Sequence, residues 1–253
     1  MRKNKNKKEI SRVGILGFGE VGQAIAKFYK NPKIKDLKRK DGLKEIEVLH
    51  ICIPWSDDFV RIVKEEIKTT RSRLTIIHST VAPGATKKII SSLPNDLKMV
   101  VHSPVRGAHP NLYPGIKTFV KYIGAEEKQA GRIAKEHLES LGIKTEVFIP
   151  SVTTELGKLF STCYYALCIA WHGEMEKICG KAGVNFNQAV SDFNESYNDG
   201  YATLKKKNVV RPILSPPQKG IGGHCLIPNA KILKKYQRSK ALDLILEYQP
   251  NEK

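Results

Sequence analysis

A cysteine close to the end of the chain stands where it could act as a nucleophile. Cys225 directly follows Gly222, Gly223 and His224. Two consecutive glycines let the backbone pass close to a ligand, and an imidazole is a suitable neighbour for a reactive thiol. The alternative is a glycine turn before a helix, with the cysteine as a small apolar residue. The remaining cysteines lie in apolar patterns and are predicted to be packed core thiols: Cys52, Cys163, Cys168 and Cys179.

A glycine motif near the other end of the chain predicts a dinucleotide site. Gly17-Phe18-Gly19-Glu20-Val21-Gly22 follows an apolar run and precedes a segment with helical spacing. Gly17 would make the turn, Gly19 would let the backbone approach a pyrophosphate, and Gly22 would let the helix pack on the strand. A helix that begins here would also present its N-terminus to the phosphates.

Asp36 favours NAD as the dinucleotide. It lies about 20 residues after the first glycine, where a carboxylate accepts hydrogen bonds from the ribose hydroxyls. The basic residues Lys38, Arg39 and Lys40 follow and could hold a 2′-phosphate, so NADP remains an alternative.

The elements that must position these residues alternate between strand and helix up to residue 150. Apolar runs predict strands at 12–16, 34–36, 48–54, 74–78, 99–102, 119–123 and 144–149. Helical patterns occupy 57–70, 86–93 and 126–141, and a long loop is predicted at 103–117. This alternation is typical of a doubly wound parallel sheet, which binds ligands at the carboxyl ends of its strands. By that rule, three segments that follow strands are candidates for ligand binding: Pro54-Trp55, Ser79–Gly84 and Ser103–Pro110.

Beyond residue 150 the pattern becomes helical. Apolar residues recur every three or four positions and predict one long helix from residue 153 to about 179, with further helices at 187–204 and 229–248. We therefore expect a disordered basic tail at 1–10, a nucleotide-binding domain at 11–150, and a helical domain for substrate and dimerisation at 151–253.

Composition narrows the class of protein. The 253 residues are 41% hydrophobic, which suffices for a packed core, and carry a formal net charge of +18. The sequence shows neither a membrane span nor a secretory signal, and its odd number of cysteines fits a reducing compartment, so a cytoplasmic protein is expected. The basic residues are not interleaved with aromatic ones as in single-strand binders. We expect an anionic small molecule, rather than nucleic acid, as the partner.

The predicted loop after residue 102 carries a polar cluster. His102, Arg106 and His109 lie within eight residues of one another, and Arg106 could pair bidentately with a carboxylate or phosphate. A metal site is not expected, since no pair here has recognisable ligand spacing. His50, His78, His137 and His172 are predicted to be structural.

With these motifs placed, the chain resembles the UDP-glucose/GDP-mannose dehydrogenase family. The resemblance is carried by the motif 17–22, Ser79-Thr80-Val81-Ala82-Pro83-Gly84, Glu155-Leu156-Gly157-Lys158 and, above all, Gly220-Ile221-Gly222-Gly223-His224-Cys225. It implies a Rossmann-like sheet followed by an all-α domain of the 6-phosphogluconate dehydrogenase type. It also implies oxidation of a sugar-nucleotide alcohol to an acid with NAD, and a homodimer paired through the long helix.

The resemblance implies roles for individual residues. Cys225 would capture an aldehyde as a thiohemiacetal, and Lys158 would stabilise oxyanion charge or transfer a proton. Thr80 would position a water near the cofactor, although it could instead cap the helix after Pro83. Pro54 is also expected to contact the cofactor.

Several positions depart from the family pattern. The family's Ser-Pro-Glu is Ser103-Pro104-Val105 here, and its next acidic residue is replaced by His109. Thr162 stands in place of an asparagine and Asn229 in place of an aspartate. These carboxylates are the family's usual candidates for the base in thioester hydrolysis, and His109 or His102 could act in their place. The resemblance also implies a C-terminal nucleotide-binding domain in the family, which is not expected within residues 151–253.

Three functions stay open at this point. The first is an NAD-dependent oxidoreductase of an anionic, sugar-derived substrate, with Arg106, His102, Thr162, Gly222, Gly223 and Asn229 on the substrate side. The second is a β-hydroxyacid-type dehydrogenase that performs one hydride transfer with Lys158. The third is a non-catalytic dinucleotide-binding protein.

Overall fold

The computed structural model describes residues 12–107 and 109–250 of the chain. They form two compact units, one that ends at Lys158 and one that begins at Leu159. The division falls within a long helix, whereas the sequence places the domain boundary at residue 150. The expected basic tail, residues 1–10, lies outside the described residues.

A seven-stranded sheet forms the centre of the first unit. Its strands are Val13–Leu16 (β1), Lys33–Lys35 (β2), Val48–Ile51 (β3), Leu74–Ile77 (β4), Val100–His102 (β5), Lys121–Ala125 (β6) and Thr145–Phe148 (β7). Their order is β2-β1-β3-β4-β5-β6-β7. Since β1 pairs with both β2 and β3, the chain reverses its direction of winding at β1, which is where doubly wound sheets bind ligands.

The doubly wound sheet predicted from the sequence is confirmed, with one correction. All neighbouring strands are parallel except β5 and β6, which pair antiparallel. A strand covered on both faces has the same apolar pattern in either direction, so the pattern at 119–123 did not specify this reversal.

Helices cover both faces of the sheet. In the first unit they are Glu20–Ala26 (α1), Phe59–Thr70 (α2), Ala85–Ser91 (α3), Leu112–Thr118 (α4) and Lys128–Ser140 (α5), with a 3₁₀ turn at Asn95–Leu97. Adjacent strand residues face opposite cores: Ile15 and Ile76 pack in one cluster, and Leu16 and Ile77 in the other. These strands are buried on both faces because helices lie above and below them.

The segment predicted as a loop at 103–117 contains α4, which is a second correction. Pro114 argues against a helix here, because proline usually interrupts one. Proline is nevertheless tolerated in the first turn, where the backbone N–H has no helical partner. Leu112 and Ile116, four residues apart, are buried and hold α4 against the core.

The second unit is helical. It contains most of the long helix Val152–Ala182 (α6), a π-helical turn at Asn187–Ser191, Asp192–Thr203 (α7), a 3₁₀ turn at Lys207–Val209, Leu226–Tyr236 (α8) and Lys240–Glu247 (α9). The long helix predicted from residue 153 to about 179 is confirmed. No helix among residues 12–107 and 109–250 combines the length and the apolar character that a membrane span requires.

The single helix predicted at 229–248 is in fact two helices, α8 and α9. Gln237 and Ser239 adopt extended backbone conformations that separate them. Ser239 then precedes α9. Serine is a favoured residue at the N-cap of a helix, because its side chain can hydrogen-bond to nearby backbone groups, which makes it unfavourable in helix interiors.

Candidate functional site

The glycine motif forms a tight turn at the carboxyl end of β1. Gly17 has φ +91°, and a Cβ there would lie 2.8 Å from the carbonyl carbon and oxygen of Cys52. A Cβ on Gly22 would lie 2.1 Å from the Gly17 oxygen, so α1 can approach the turn only with glycine at this position. A Cβ on Gly19 would meet no atom within 4 Å, which leaves the backbone open to a ligand there.

Asp36 lies beside this turn, directly after β2. Its Oδ2 accepts a hydrogen bond of 2.7 Å from the Phe18 backbone N–H. One carboxylate oxygen therefore fixes the glycine turn, and carboxylates have further acceptor sites. Arg39, a candidate for binding a 2′-phosphate, is held by Asp41 through Nε and Nη2 at 2.6–2.9 Å. The turn thus has a carboxylate beside it, while the Arg39 guanidinium already has an anionic partner.

The loops after β3 and β4 lie side by side at the same end of the sheet. The Ser79 hydroxyl donates to the carbonyl of Ile53 at 2.6 Å, which ties the two loops together. Pro54 is exposed and Thr80 is half-buried in these loops. Thr80 does not cap the following helix, because α3 begins only at Ala85 and has Gly84 as its N-cap residue.

The cap of α3 is supplied by a glutamate from another helix. The Glu155 carboxylate accepts hydrogen bonds from Gly84 N (2.5 Å), Thr86 N (2.9 Å) and Thr86 Oγ1 (2.7 Å). Burial raises the pKa of Glu155, and these hydrogen bonds oppose that rise. The sequence motif contained this residue, but nothing in its spacing indicated that it would cap a helix 69 residues away.

Lys158 follows Glu155 by three residues on the first turns of α6. Its Nζ donates to the Val105 carbonyl oxygen at 3.0 Å, and the side chain is half-buried. Because Glu155 fixes the start of α6, the amine one turn later is held against the loop that follows β5. The structure thus brings Lys158 to the loop that carries Arg106 and His109.

His102 is wrongly placed among the substrate-binding residues. The ring is fully buried, its Nδ1 bonds to Thr154 Oγ1 at 2.8 Å, and its Nε2 bonds to the Ser79 carbonyl at 3.1 Å. Burial lowers the pKa of His102 to about 3. With both ring nitrogens occupied, this histidine joins β5 to α6 and offers no group to a substrate or a water.

Arg106 and His109 are accessible. The Arg106 guanidinium lies 5.3 Å from the ring centre of Phe119 and 5.4 Å from that of Tyr122, distances typical of cation–π contacts. His109 Nδ1 contacts the Glu20 carboxylate within the glycine motif. The structure therefore links the loop after β5 to the turn after β1.

Four of the predicted site residues of the second unit lie at or next to the start of α8. Gly222 is exposed, Gly223 has φ +84°, and Cys225 is the half-buried residue that directly precedes α8. Asn229 is buried, and its backbone N–H donates to the Cys225 carbonyl at 3.1 Å. Thr162 is half-buried on α6.

The remaining histidines and all but one of the remaining cysteines are buried. His50, His78, His137 and His172 are all buried, as are Cys52, Cys163 and Cys179, while Cys168 is half-buried. Sequence reasoning did not identify the hydrogen-bonded chain that three of these histidines form with Tyr29, because its members are far apart in sequence.

Known proteins resemble the chain in sequence. No protein-family model matches it. UDP-N-acetyl-D-mannosamine dehydrogenases do match: that of Pyrococcus horikoshii is 26% identical over 224 residues, 82% of this chain and 50% of the relative. The enzyme of Methanocaldococcus jannaschii is 25% identical over 236 residues, which are 87% of this chain and 52% of the relative. The enzyme of Methanococcus maripaludis is 27% identical over 191 residues, which are 75% of this chain and 40% of the relative.

Solved structures share the fold. The UDP-D-ManNAc dehydrogenase of Pyrococcus horikoshii superposes with a TM-score of 0.72 at 21% identity, covering 94% of this chain and 68% of that one. The UDP-glucose dehydrogenase of Pyrobaculum islandicum gives 0.72 at 15%, covering 97% and 69%. The 3-hydroxyisobutyrate dehydrogenase of Mycobacterium tuberculosis gives 0.71 at 13%, covering 94% and 92%.

The motifs, the fold and these relatives agree with one another. The chain spans about half the length, or less, of the curated relatives it matches. It is accordingly a relative of the UDP-glucose/GDP-mannose dehydrogenase family.

Proposed function

We propose that the chain catalyses the NAD-dependent oxidation of a CH–OH group in a sugar nucleotide. The observation that carries this proposal is the open glycine turn with Asp36 beside it, in a chain related over most of its length to UDP-N-acetyl-D-mannosamine dehydrogenases. UDP-N-acetyl-D-mannosamine is therefore the first substrate to test. Its diphosphate is anionic, which suits the basic chain and the accessible guanidinium of Arg106.

The residues of the turn fit NAD. Open space at the Cβ position of Gly19 would admit a pyrophosphate, and the Asp36 carboxylate would accept the ribose hydroxyls. Arg39 is engaged by Asp41, which favours NAD over NADP. NAD, when bound, accepts the hydride that each oxidation releases.

Lys158 and Cys225 would carry the chemistry on the substrate. The Lys158 amine would take the proton of the substrate hydroxyl or stabilise the oxygen as charge develops on it. The Cys225 thiolate would add to the aldehyde carbon, and loss of a hydride from this thiohemiacetal leaves a thioester. Cys225 directly precedes α8, and a helix N-terminus stabilises negative charge.

Hydrolysis of the thioester requires a base. His109 is the candidate that the structure favours over the buried His102, because its ring is partly accessible and Glu20 orients it through Nδ1. Water would attack the thioester carbon, releasing the carboxylic acid and restoring the thiol. His109 would accept the proton of that water.

A β-hydroxyacid-type reaction with a single hydride transfer is the second candidate. The chain covers 92% of the 3-hydroxyisobutyrate dehydrogenase structure, whereas it covers 68% of the UDP-D-ManNAc dehydrogenase structure. In a reaction of that type Lys158 alone would exchange the proton of the substrate hydroxyl. Cys225 would then be incidental.

Product stoichiometry tests the proposal. The purified chain with NAD and UDP-N-acetyl-D-mannosamine should form two NADH per molecule of acid, measured by NADH fluorescence and mass spectrometry of the product. Cys225→Ala should slow acid formation at least about a thousandfold, since the covalent route is lost. Cys168→Ala, which alters a half-buried cysteine outside the motif, serves as the matched control.

Other outcomes select among the rivals. One NADH per substrate, with Cys225→Ala as active as the unaltered chain, would establish the single-step reaction instead. Binding of NAD without turnover of any sugar nucleotide or β-hydroxyacid would indicate a non-catalytic dinucleotide-binding protein.

A homodimer paired through α6 is also proposed. Four apolar side chains form one stripe along this helix and are 51–66% exposed: Phe160, Tyr164, Trp171 and Ile178. Their spacing returns to nearly the same face of an α-helix, because 11 and 18 residues are close to whole numbers of turns. A second copy of the chain is the partner that would cover this stripe.

A further inference from the structure

Lys121 is a buried lysine at the start of β6. The side chain belongs to a residue only 3% exposed, and its Nζ donates to the carbonyl oxygens of Ser103 (2.7 Å) and Pro104 (3.2 Å). In the part of the chain that the structure describes, no carboxylate forms an ion pair with it. A buried ammonium held by carbonyls alone is rare, because desolvation of the charge is costly.

A second lysine uses the next carbonyl of the same loop. Lys158 donates to the Val105 oxygen, so two amines lie along the backbone of three consecutive residues, Ser103, Pro104 and Val105. The carbonyl dipoles provide only partial negative charge, and Val105 stands where a carboxylate is expected from the family resemblance. Burial is the main cause that lowers the pKa of Lys121 to about 7; Cys52 opposes this lowering, and the positive charge of Lys158 contributes to it.

A hydrogen-bonded chain holds the Ser103 carbonyl from the other side. His78 Nδ1 must donate to this oxygen at 3.1 Å, because a carbonyl can only accept. The neutral His78 then accepts at Nε2 from His50 Nδ1 at 2.8 Å, so His50 Nε2 must accept from the Tyr29 hydroxyl at 2.8 Å.

The same reasoning fixes the far end of the chain. Because the Tyr29 proton is directed at His50, the Tyr29 oxygen accepts from His137 Nε2 at 2.7 Å. Burial lowers the pKa values of His50 and His78 far below the ordinary value, which keeps both rings neutral as this pattern requires. Every donor therefore points towards the Ser103 carbonyl, and the loop is fixed by Lys121 and His78 together.

We propose that Lys121 is a positioning residue for the reaction proposed above. It fixes the carbonyls of Ser103 and Pro104 so that the next carbonyl, that of Val105, holds the Lys158 amine. When protonated, Lys121 would also repel the positive charge of Lys158 and so favour the neutral, proton-accepting amine. This inference rests on the proposed function only where the readout is turnover.

The first test is Lys121→Met, which keeps the length of the side chain and removes its charge. With NAD and UDP-N-acetyl-D-mannosamine, kcat/KM should fall about tenfold or more, and the acidic limb of the pH profile should move up by about one pH unit. The Kd for NADH should stay unchanged. Lys117→Met, which alters an exposed lysine on α4, should match the unaltered chain in all three measurements.

The second test does not depend on turnover. Reductive methylation with ¹³C-formaldehyde labels lysine amines, and the Lys158 signal can be assigned by its absence in Lys158→Arg. Its titration midpoint should be higher in Lys121→Met than in the unaltered chain, because a nearby positive charge has been removed. If NADH never forms, the proposed function fails, and this NMR titration still decides the role of Lys121.

An unchanged Lys158 titration and an unchanged pH profile in a folded Lys121→Met would overturn the proposal and leave Lys121 with a structural role alone. Folding is verified by thermal unfolding. If Lys121→Met does not fold, Lys121→Gln is measured in its place, since it is also uncharged and can still donate to the two carbonyls.

Discussion

At the residue scale, the first unit is distinguished by polar side chains that are buried and satisfied within its core. Four imidazoles are at least nine-tenths buried: His50, His78, His102 and His137. Burial lowers the pKa of His102 to about 3 and that of His137 to about 4, and lowers the pKa values of His50 and His78 well below the ordinary one. All four rings must be neutral in the folded protein.

This burial predicts a loss of stability in mild acid. Each ring has a folded-state pKa below its unfolded value of about 6.5, so the unfolded state binds more protons as pH falls below that value. Each such proton costs about 1.4 kcal/mol of unfolding free energy per pH unit, and four give a slope on the order of 5 kcal/mol per unit. Glu155, whose pKa is raised, acts in the opposite sense.

Urea denaturation between about pH 7.5 and pH 5 measures this slope. His224→Gln, which removes an exposed histidine, should leave it unchanged. An unfolding free energy that stays flat across the range would show that the rings are not kept neutral by the fold.

At the scale of elements, the glycine turn between β1 and α1 combines two separate requirements. Gly17 and Gly22 are needed for the fold, because a Cβ at either position would meet backbone atoms at 2.1–2.8 Å. Gly19 has no such constraint from the protein. In the proposed function, glycine is needed at position 19 because the bound dinucleotide would lie against the backbone there.

A matched pair of substitutions separates these requirements. Gly22→Ala should destabilise the protein by about 1–3 kcal/mol or more, because α1 must move away from the turn. Gly19→Ala should leave thermal unfolding unchanged and weaken NADH binding at least about tenfold, because the new methyl group would meet the pyrophosphate. Thermal unfolding and fluorescence titration with NADH measure the two effects. Equal NADH affinity in Gly19→Ala would remove the turn from the cofactor site.

At the scale of the whole molecule, the exposed apolar surface of α6 is the feature that supports association with a partner. An apolar stripe about 27 Å long, at 1.5 Å per helical residue, is exposed from Phe160 to Ile178. Stripes of this kind mark interaction surfaces more often than isolated exposed residues do.

We expect a homodimer at micromolar concentration by light scattering. Tyr164→Arg places a charge within the stripe and should shift the mass to that of a monomer, because desolvating an unpaired guanidinium is costly. Tyr165→Arg alters an exposed residue on a different face of the same helix and should leave the dimer intact. A monomeric mass for the unaltered chain would contradict the proposed dimer.

Much of the fold was determined by local patterns in the sequence. The apolar runs, the glycine motif and the helical spacing after residue 150 specify the order of elements, because burial on two faces and helical periodicity leave a direct trace in the residues. The same holds for the glycine turn, since only glycine fits where backbone approaches backbone. The short α4 and the division between α8 and α9 were missed because their signals are weak over so few residues.

Only the tertiary structure decided which polar residues meet. The antiparallel direction of β6, the capping of α3 by Glu155, the burial of His102 and the gathering of Lys121 and Lys158 on one loop all join residues distant in sequence. The periodicity of apolar residues does not indicate such contacts, because the sequence does not show whether a given histidine or lysine is exposed to water or hydrogen-bonded to a carbonyl. The sequence determined which groups this protein possesses, and folding determined which of them are buried, paired and charged.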